Sequence, residues 1–408
     1  MEQDRDKRQV RRRRVFYIPG YDPIHPRRYR ELYRKEGGEQ AAISGYALGL
    51  KPRTTPGAYG WHVSAEIEGA SVETDVEVLV WSDIVRDSMA NTLAATYGQM
   101  LRTAWAYVGS GALWRLMRLR KGPVIAALYP VGALVLLALV AVLLACAVAW
   151  GAVALLGGWG WLPGMTLGLA AGYALMRWVK ARDGKTFIFY LMHDYGYSAQ
   201  SGGANPPELE ARMSEFGKSI AAALTSETDE VLVVGHSSGA HLAVSVLADL
   251  IRAGRVPDNG PALGFLSLGQ VVPMVSFLPK ANRLRADLAY LSARDELAWV
   301  DVTAPGDGCA FALCDPVSVS GVAPEGKRWP LVISAAFTQT LSPDKWRALR
   351  WRFFRLHFQY LCAFDRPGDY DYFRITAGPV TLRDRFAGRE PSRSRIDHAV
   401  SKYTSVAA

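Results

Sequence analysis

The chain reads as an α/β protein interrupted by a pair of membrane-spanning helices, and three observations predict it. The stretch beginning at Val231, VLVVGHSSGAHLAV, passes from a β-branched apolar run through Gly235-His236-Ser237-Ser238-Gly239 into residues at helical spacing: Ala240, Leu242, Ala243, Val246 and Leu247. Strand-type runs alternate with helical stretches on both sides of it. Between Pro123 and Trp150 lie 28 consecutive uncharged residues, whereas about 20 suffice to cross a hydrocarbon core.

In chain order, VFYIPGYDP (Val15 to Pro23) is a strand broken at Pro19-Gly20. Arg27 to Glu36 is helix-compatible, Ala41 to Leu50 with His62 to Glu68 alternates as a hairpin does, and ETDVEVLVW (Glu73 to Trp81) is another strand. From Ser82 to Lys121, Trp105, Tyr107, Trp114, Leu116 and Leu119 recur at helical spacing among arginines, the pattern of a helix lying in a bilayer interface or capping a site. A second apolar run, Gly151 to Trp178, is separated from the first by a Gly-, Trp- and Pro-rich break at 157–164. KTFIFY (Lys185 to Tyr190) reads as a strand, His193 to Ser198 as a loop and Leu209 to Leu224 as a helix. Beyond Leu247 follow strand GFLSLGQVV, helix Arg285 to Ser292, strand LAWVDV and strand WPLVISAAF, with a helical look from Ser342 to Phe364.

These readings divide the chain into a basic tail (1–14), a first part of the α/β domain (15–84), an amphipathic segment (85–122), a membrane hairpin (123–179, spans about 124–150 and 157–178), a second part of the α/β domain (180–385) and a polar tail (386–408). Arg115, Arg118, Arg120 and Lys121 precede the hairpin and Arg177, Lys180, Arg182 and Lys185 follow it, while its turn carries no charge. The positive-inside rule then places both ends, and the α/β domain, in the cytoplasm of a bacterial-type cell, with the hairpin in its inner membrane.

Net charge is +9. Because the basic residues cluster at the N-terminus and beside the apolar run, the expected partner is a membrane surface and not nucleic acid. Arg11 to Arg14 either hold anionic head groups or form a solvated tail. Cys146, Cys309, Cys314 and Cys362 have no zinc-type spacing, so reduced thiols are expected, although Cys309 and Cys314 lie near each other in sequence. No metal and no cofactor is expected.

GHSSGAHLA fits G-x-S-x-G, in which the serine rides a strained strand-to-helix turn and small neighbours are needed where backbones crowd. At these residues the chain resembles the α/β-hydrolase superfamily, particularly its esterase and formamidase-type members. The resemblance implies a mostly parallel sheet with helices on both faces, and Ser237 as nucleophile. It implies a triad in the order serine, acid, histidine. Asp307, in TAPGDG after LAWVDV, is the first choice of acid, Asp301 the alternative, and Asp315 lies further along. His357 is the base, being the only histidine between WPLVISAAF and the tail that holds His398. Backbone N–H groups of Ser238 and Tyr21 are the expected oxyanion donors. Gly20, Asp22 and His236 are expected to bind substrate, with His25 close by.

The expected activity is that of a membrane-anchored serine hydrolase cleaving an ester, thioester or amide of a lipid or acyl substrate through an acyl-enzyme. A lipid acyltransferase with the same triad, and a non-catalytic membrane scaffold, are the alternatives.

Overall fold

A computed structural model describes residues 9–53, 57–89 and 92–407. Eight strands, β1 (Arg12–Ile18), β2 (Ala47–Pro52), β3 (Gly60–Ile67), β4 (Ala70–Val78), β5 (Glu230–His236), β6 (Ala262–Leu268), β7 (Leu297–Thr303) and β8 (Leu331–Ser334), form one sheet in the order β2-β3-β4-β1-β5-β6-β7-β8. Strands β4, β1, β5, β6, β7 and β8 run parallel, and β3 and β2 are added at one edge, each antiparallel to the strand before it in the sheet. The chain thus has an α/β fold with a mostly parallel sheet.

Strands β5 and β7 are buried at every position, as a parallel sheet covered on both faces requires. On one face, alternate residues Val15 and Tyr17, Leu232 and Val234, Leu266 and Leu268, and Val300 and Val302 share a core with Tyr29 and Tyr33 of helix Arg27–Ser44 and with Phe373 of helix Tyr372–Ala377. Helices Pro207–Leu224 and Asn282–Ser292 pack against helix Gly239–Arg252, which lies on β5 and β1. Their buried residues stand outside that aromatic core, which puts them on the second face. Register sets the site: Ile18 pairs with Gly235, so the chain leaving β1 and the chain leaving β5 emerge side by side at the carboxyl end of the sheet, where open α/β sheets carry their crevices.

Three local readings are corrected. Arg12 to Arg14 are not tail but strand, because acidic residues beside them neutralise their charge: buried Arg13 Nε lies 2.6 Å from Glu230 Oε2 and donates from its other nitrogens to the carbonyls of Gly378 and Val380. Residues 1–8 lie outside the described residues. KTFIFY falls in two helices, Asp183–Thr186 and Ile188–Ala199, parted at Phe187 with φ +56°, and the second takes in His193 to Ser198. Asp183 drives this, its carboxylate accepting the amides of Phe189 at 2.9 Å and Tyr190 at 2.8 Å and so starting the helix. The C-terminal segment is ordered by the body of the domain, Ile396 N–H donating to Leu313 O and Arg285 Nε to Ser405 O.

The chain divides into two compact units: Met1–Asp87 with Ala112–Pro123 and Ser201–Ala408, and Ser88–Gly111 with Val124–Gln200. In the second, helices Leu93–Gly109 and Ile188–Ala199 pack together around Leu93, Met100, Leu134, Ile188, Phe189 and Met192. Tyr97 Oη donates to Leu134 O at 2.8 Å. Helix Lys121–Leu156 is followed by a turn at Gly157–Gly160 and helix Trp161–Lys180. Where two spans are expected, this single stretch, Lys121–Lys180, is long and apolar enough to cross a membrane, and only 22% of its most apolar window is buried. Added methyls on Gly164, Gly168 and Gly172 would come within about 3 Å of the backbone of Ala149, Ala145 and Ala141 respectively, so only glycine permits this approach.

Candidate active site

At the end of β5 the chain turns at Ser237 with φ +57°, in the left-handed region, a conformation costing a non-glycine residue about 1–3 kcal/mol. The crowding around it explains the flanking glycines. A Cβ on Gly235 would lie 2.7 Å from Ala240 Cα, and one on Gly239 would lie 2.6 Å from Pro19 O. Ser237 N–H donates to Leu268 O at the end of β6, 2.9 Å away. Ser237 is partly exposed between buried His236 and Ser238, and its hydroxyl makes no hydrogen bond among the described residues. Helix Gly239–Arg252 begins immediately after, aiming the positive end of its dipole at the turn.

Gly20 sits on the serine: a Cβ there would come 3.0 Å from Ser237 Cβ and 3.4 Å from its Oγ. Trp81 Nε1 donates to Pro19 O at 2.9 Å and fixes this loop. Tyr21 and Ser238 are brought together, but the Tyr21 N–H donates to Ser238 Oγ at 2.9 Å, so this expected oxyanion donor is already engaged.

Beyond β7, Asp307 N–H donates to Ala304 O and Asp307 Oδ1 accepts the Cys309 amide at 2.8 Å, a tight turn that presents the other oxygen. That oxygen, Oδ2, lies 2.7 Å from His357 Nδ1 and accepts from Tyr360 Oη at 3.0 Å. Burial pushes the Asp307 carboxyl up, but the charge and hydrogen bond of His357, with the donors Cys309 N–H and Tyr360 Oη, outweigh it and hold the carboxyl below its ordinary value. Asp307 is therefore an anion in a dry setting. In the tautomer that donates Nδ1–H to Asp307, His357 carries its lone pair on Nε2.

His357 ends helix Phe353–His357 and is 6% exposed. It is held from two sides. His236 lies beneath it, ring centroids 4.9 Å apart, with Nε2 3.0 Å from the His357 carbonyl. Burial and the neighbouring His357 push the His236 pKa down to about 3, so its ring is a neutral donor. On the other side Gly269, at φ +54°, leaves room that a Cβ would take: it would stand 3.0 Å from His357 Cε1 and 2.7 Å from Tyr360 Cε2.

The other residues expected at the site are placed differently. Asp22 accepts hydrogen bonds from Arg28, Tyr29 and the Ile24 amide, bracing the loop after β1. His236 is buried beneath His357 and so lines no open surface. His25 is exposed and accepts the Arg27 amide. Asp301 lies wholly within β7, bonded by Ser267 Oγ at 2.5 Å, and burial raises its pKa to about 8; it does not touch His357. Asp315 caps helix Pro316–Val319 and pairs with Lys327.

Tyr360 and Gly269 were missed, and the phenol's place three residues after His357 is the one trace of it in the sequence. All four cysteines are free. Ligand atoms of Asp307, Cys309 and His357 lie within 4.8 Å of one another, near enough for a soft divalent ion, yet both Asp307 oxygens already accept hydrogen bonds. A partly exposed serine, an imidazole and a buried carboxylate at one end of the sheet can perform nucleophilic acyl transfer. No protein-family profile, curated protein or solved structure matches the chain.

Proposed function

We propose that the chain is a membrane-anchored serine hydrolase of α/β-hydrolase type that cleaves an ester, thioester or amide of a lipid or acyl substrate. The observation that carries the reading is the buried Asp307–His357 pair, 2.7 Å from oxygen to Nδ1, with Asp307 on the loop after β7 and the strained Ser237 on the turn after β5, both at the carboxyl end of the sheet. Ser237 Oγ attacks the carbonyl carbon and its proton passes to His357 Nε2, leaving an imidazolium that Asp307 stabilises. The carbonyl electrons move onto oxygen, which the Ser238 N–H at the helix N-terminus receives. His357 then protonates the leaving group, and water, activated by the same imidazole, frees the acid.

The Gly/Ala contacts between helices Lys121–Leu156 and Trp161–Lys180 run in reverse order along the first helix, which supports a hairpin crossing the bilayer, and the basic residues at its two ends support a cytoplasmic α/β domain. Anchoring favours a poorly soluble acyl substrate, which need not leave the bilayer for bulk water. A lipid-extract hydrolysis screen tests this: fatty acid released by the wild-type chain and not by Ser237→Ala supports the reading, and equal release by both defeats it.

A further inference from the structure

Three features surround the Ser238 side chain. It stands at the N-cap of helix Gly239–Arg252, where a serine hydroxyl normally accepts a backbone N–H from the first turn, yet it makes no capping hydrogen bond. Its oxygen instead accepts the Tyr21 amide at 2.9 Å. Ser238 is 4% exposed, and its hydroxyl makes no second hydrogen bond among the described residues. A buried hydroxyl that only accepts has its own proton uncommitted, and burying an idle donor is unfavourable.

Ser238 follows the nucleophile directly, and the loop holding its oxygen is the one in which Gly20 rests against Ser237 Cβ and Oγ. We infer that Ser238 supplies both donors of the oxyanion hole, its backbone N–H and its Oγ–H, while the Tyr21 amide acts through it by fixing and polarising the hydroxyl. Tyr21 is then a positioning residue and Ser238 a catalytic one. The ligand is the oxygen of a tetrahedral acyl intermediate. As the Ser237 Oγ–carbon bond forms, the carbonyl π pair moves to that oxygen and the Ser237 proton goes to His357; the Ser238 proton is shared by hydrogen bonding and never transferred. A donor chain of amide, hydroxyl and oxyanion strengthens along its length.

The assignment rests on the proposed serine hydrolase activity, and the experiment separates the two. Full-length wild type, Ser238→Ala and Ser238→Thr are purified in detergent, checked for equal thermal unfolding, and assayed with p-nitrophenyl butyrate and a fluorophosphonate probe. Loss of one oxyanion donor costs about 10²–10³-fold in kcat. Ser238→Ala should show that loss with KM nearly constant and a matching fall in the rate of Ser237 labelling, and Ser238→Thr, which keeps a hydroxyl, should recover most of it. If the Tyr21 amide itself faces the substrate, Ser238→Ala frees that amide, and a rate equal to or above wild type would overturn the assignment alone. A wild type that neither labels nor hydrolyses overturns the functional reading and the assignment with it.

Discussion

Tyr360 Oη donates to Asp307 Oδ2 at 3.0 Å, the same oxygen that His357 Nδ1 approaches at 2.7 Å. The phenol also accepts the Ala304 amide at 3.0 Å, so one buried side chain ties the end of β7 to the acid and to the segment bearing the base. Burial, with the charge of Asp307 and the bond to it, holds the Tyr360 pKa well above its ordinary value. The phenol therefore stays a donor throughout the working pH range.

Tyr360→Phe removes a donor that lowers the Asp307 pKa. The Asp307 carboxyl then moves up toward its ordinary value, and the acid limb of the kcat/KM profile should move to higher pH. Stability should fall by about 1–3 kcal/mol, since the Ala304 amide is left unpaired and a charged hydrogen bond is lost. A depressed carboxylate contributes stability above its unfolded pKa, lost as pH falls through the folded one, so the difference from wild type should shrink in acid. An unshifted profile would remove Tyr360 from the positioning of the acid.

Asp307→Asn and Asp301→Asn should separate the two acids. Asparagine at 307 favours the wrong imidazole tautomer and should cost about 10⁴-fold in kcat, whereas asparagine at 301 should leave turnover near wild type. A large loss at 301 with little at 307 would exchange their roles.

Asp301 also predicts a pH dependence of stability. Its folded pKa is raised to about 8, against about 3.9 in an unfolded chain. The neutral carboxyl's contribution is full below the unfolded value and is lost as pH rises through the folded one. Urea unfolding should therefore show Asp301→Asn gaining on wild type steadily from pH 5 to pH 8. A gap that stays constant over that range contradicts the neutral assignment.

For the helical pair, a reporter fused at Gly160 should lie on the far side of the membrane from both termini. Gly168→Leu should lower thermal stability in detergent, because its side chain has no room against Ala145. A reporter read as cytoplasmic would rule out the hairpin.

Much of the fold was legible because periodicity marks buried strands and amphipathic helices. VLVVGHSSGAHLAV became β5, the strained turn and a helix, and Asp307, ranked ahead of Asp301 by the loop position that the hydrolase resemblance implies, meets His357. What escaped was set by side-chain contacts that periodicity does not register. Asp183, just before KTFIFY, starts a helix through its own carboxylate, and the arginines of the N-terminus look solvated until β1 sets Arg13 against Glu230. The same holds at the site, where Asp22 and His236 have side chains suited to binding substrate but are claimed by Arg28, Tyr29 and the His357 carbonyl. Tyr360 carries no motif, since its role exists only once β7 and the His357 segment meet.

Fluorophosphonate labelling of the purified full-length chain, read by peptide mass spectrometry, tests most directly the proposal that Ser237 is a nucleophile driven by His357 and Asp307. One adduct is expected, on Ser237, absent in Ser237→Ala and formed at least about 100-fold more slowly in His357→Ala. An unlabelled Ser237, while a known serine hydrolase labels in the same tube, would contradict it.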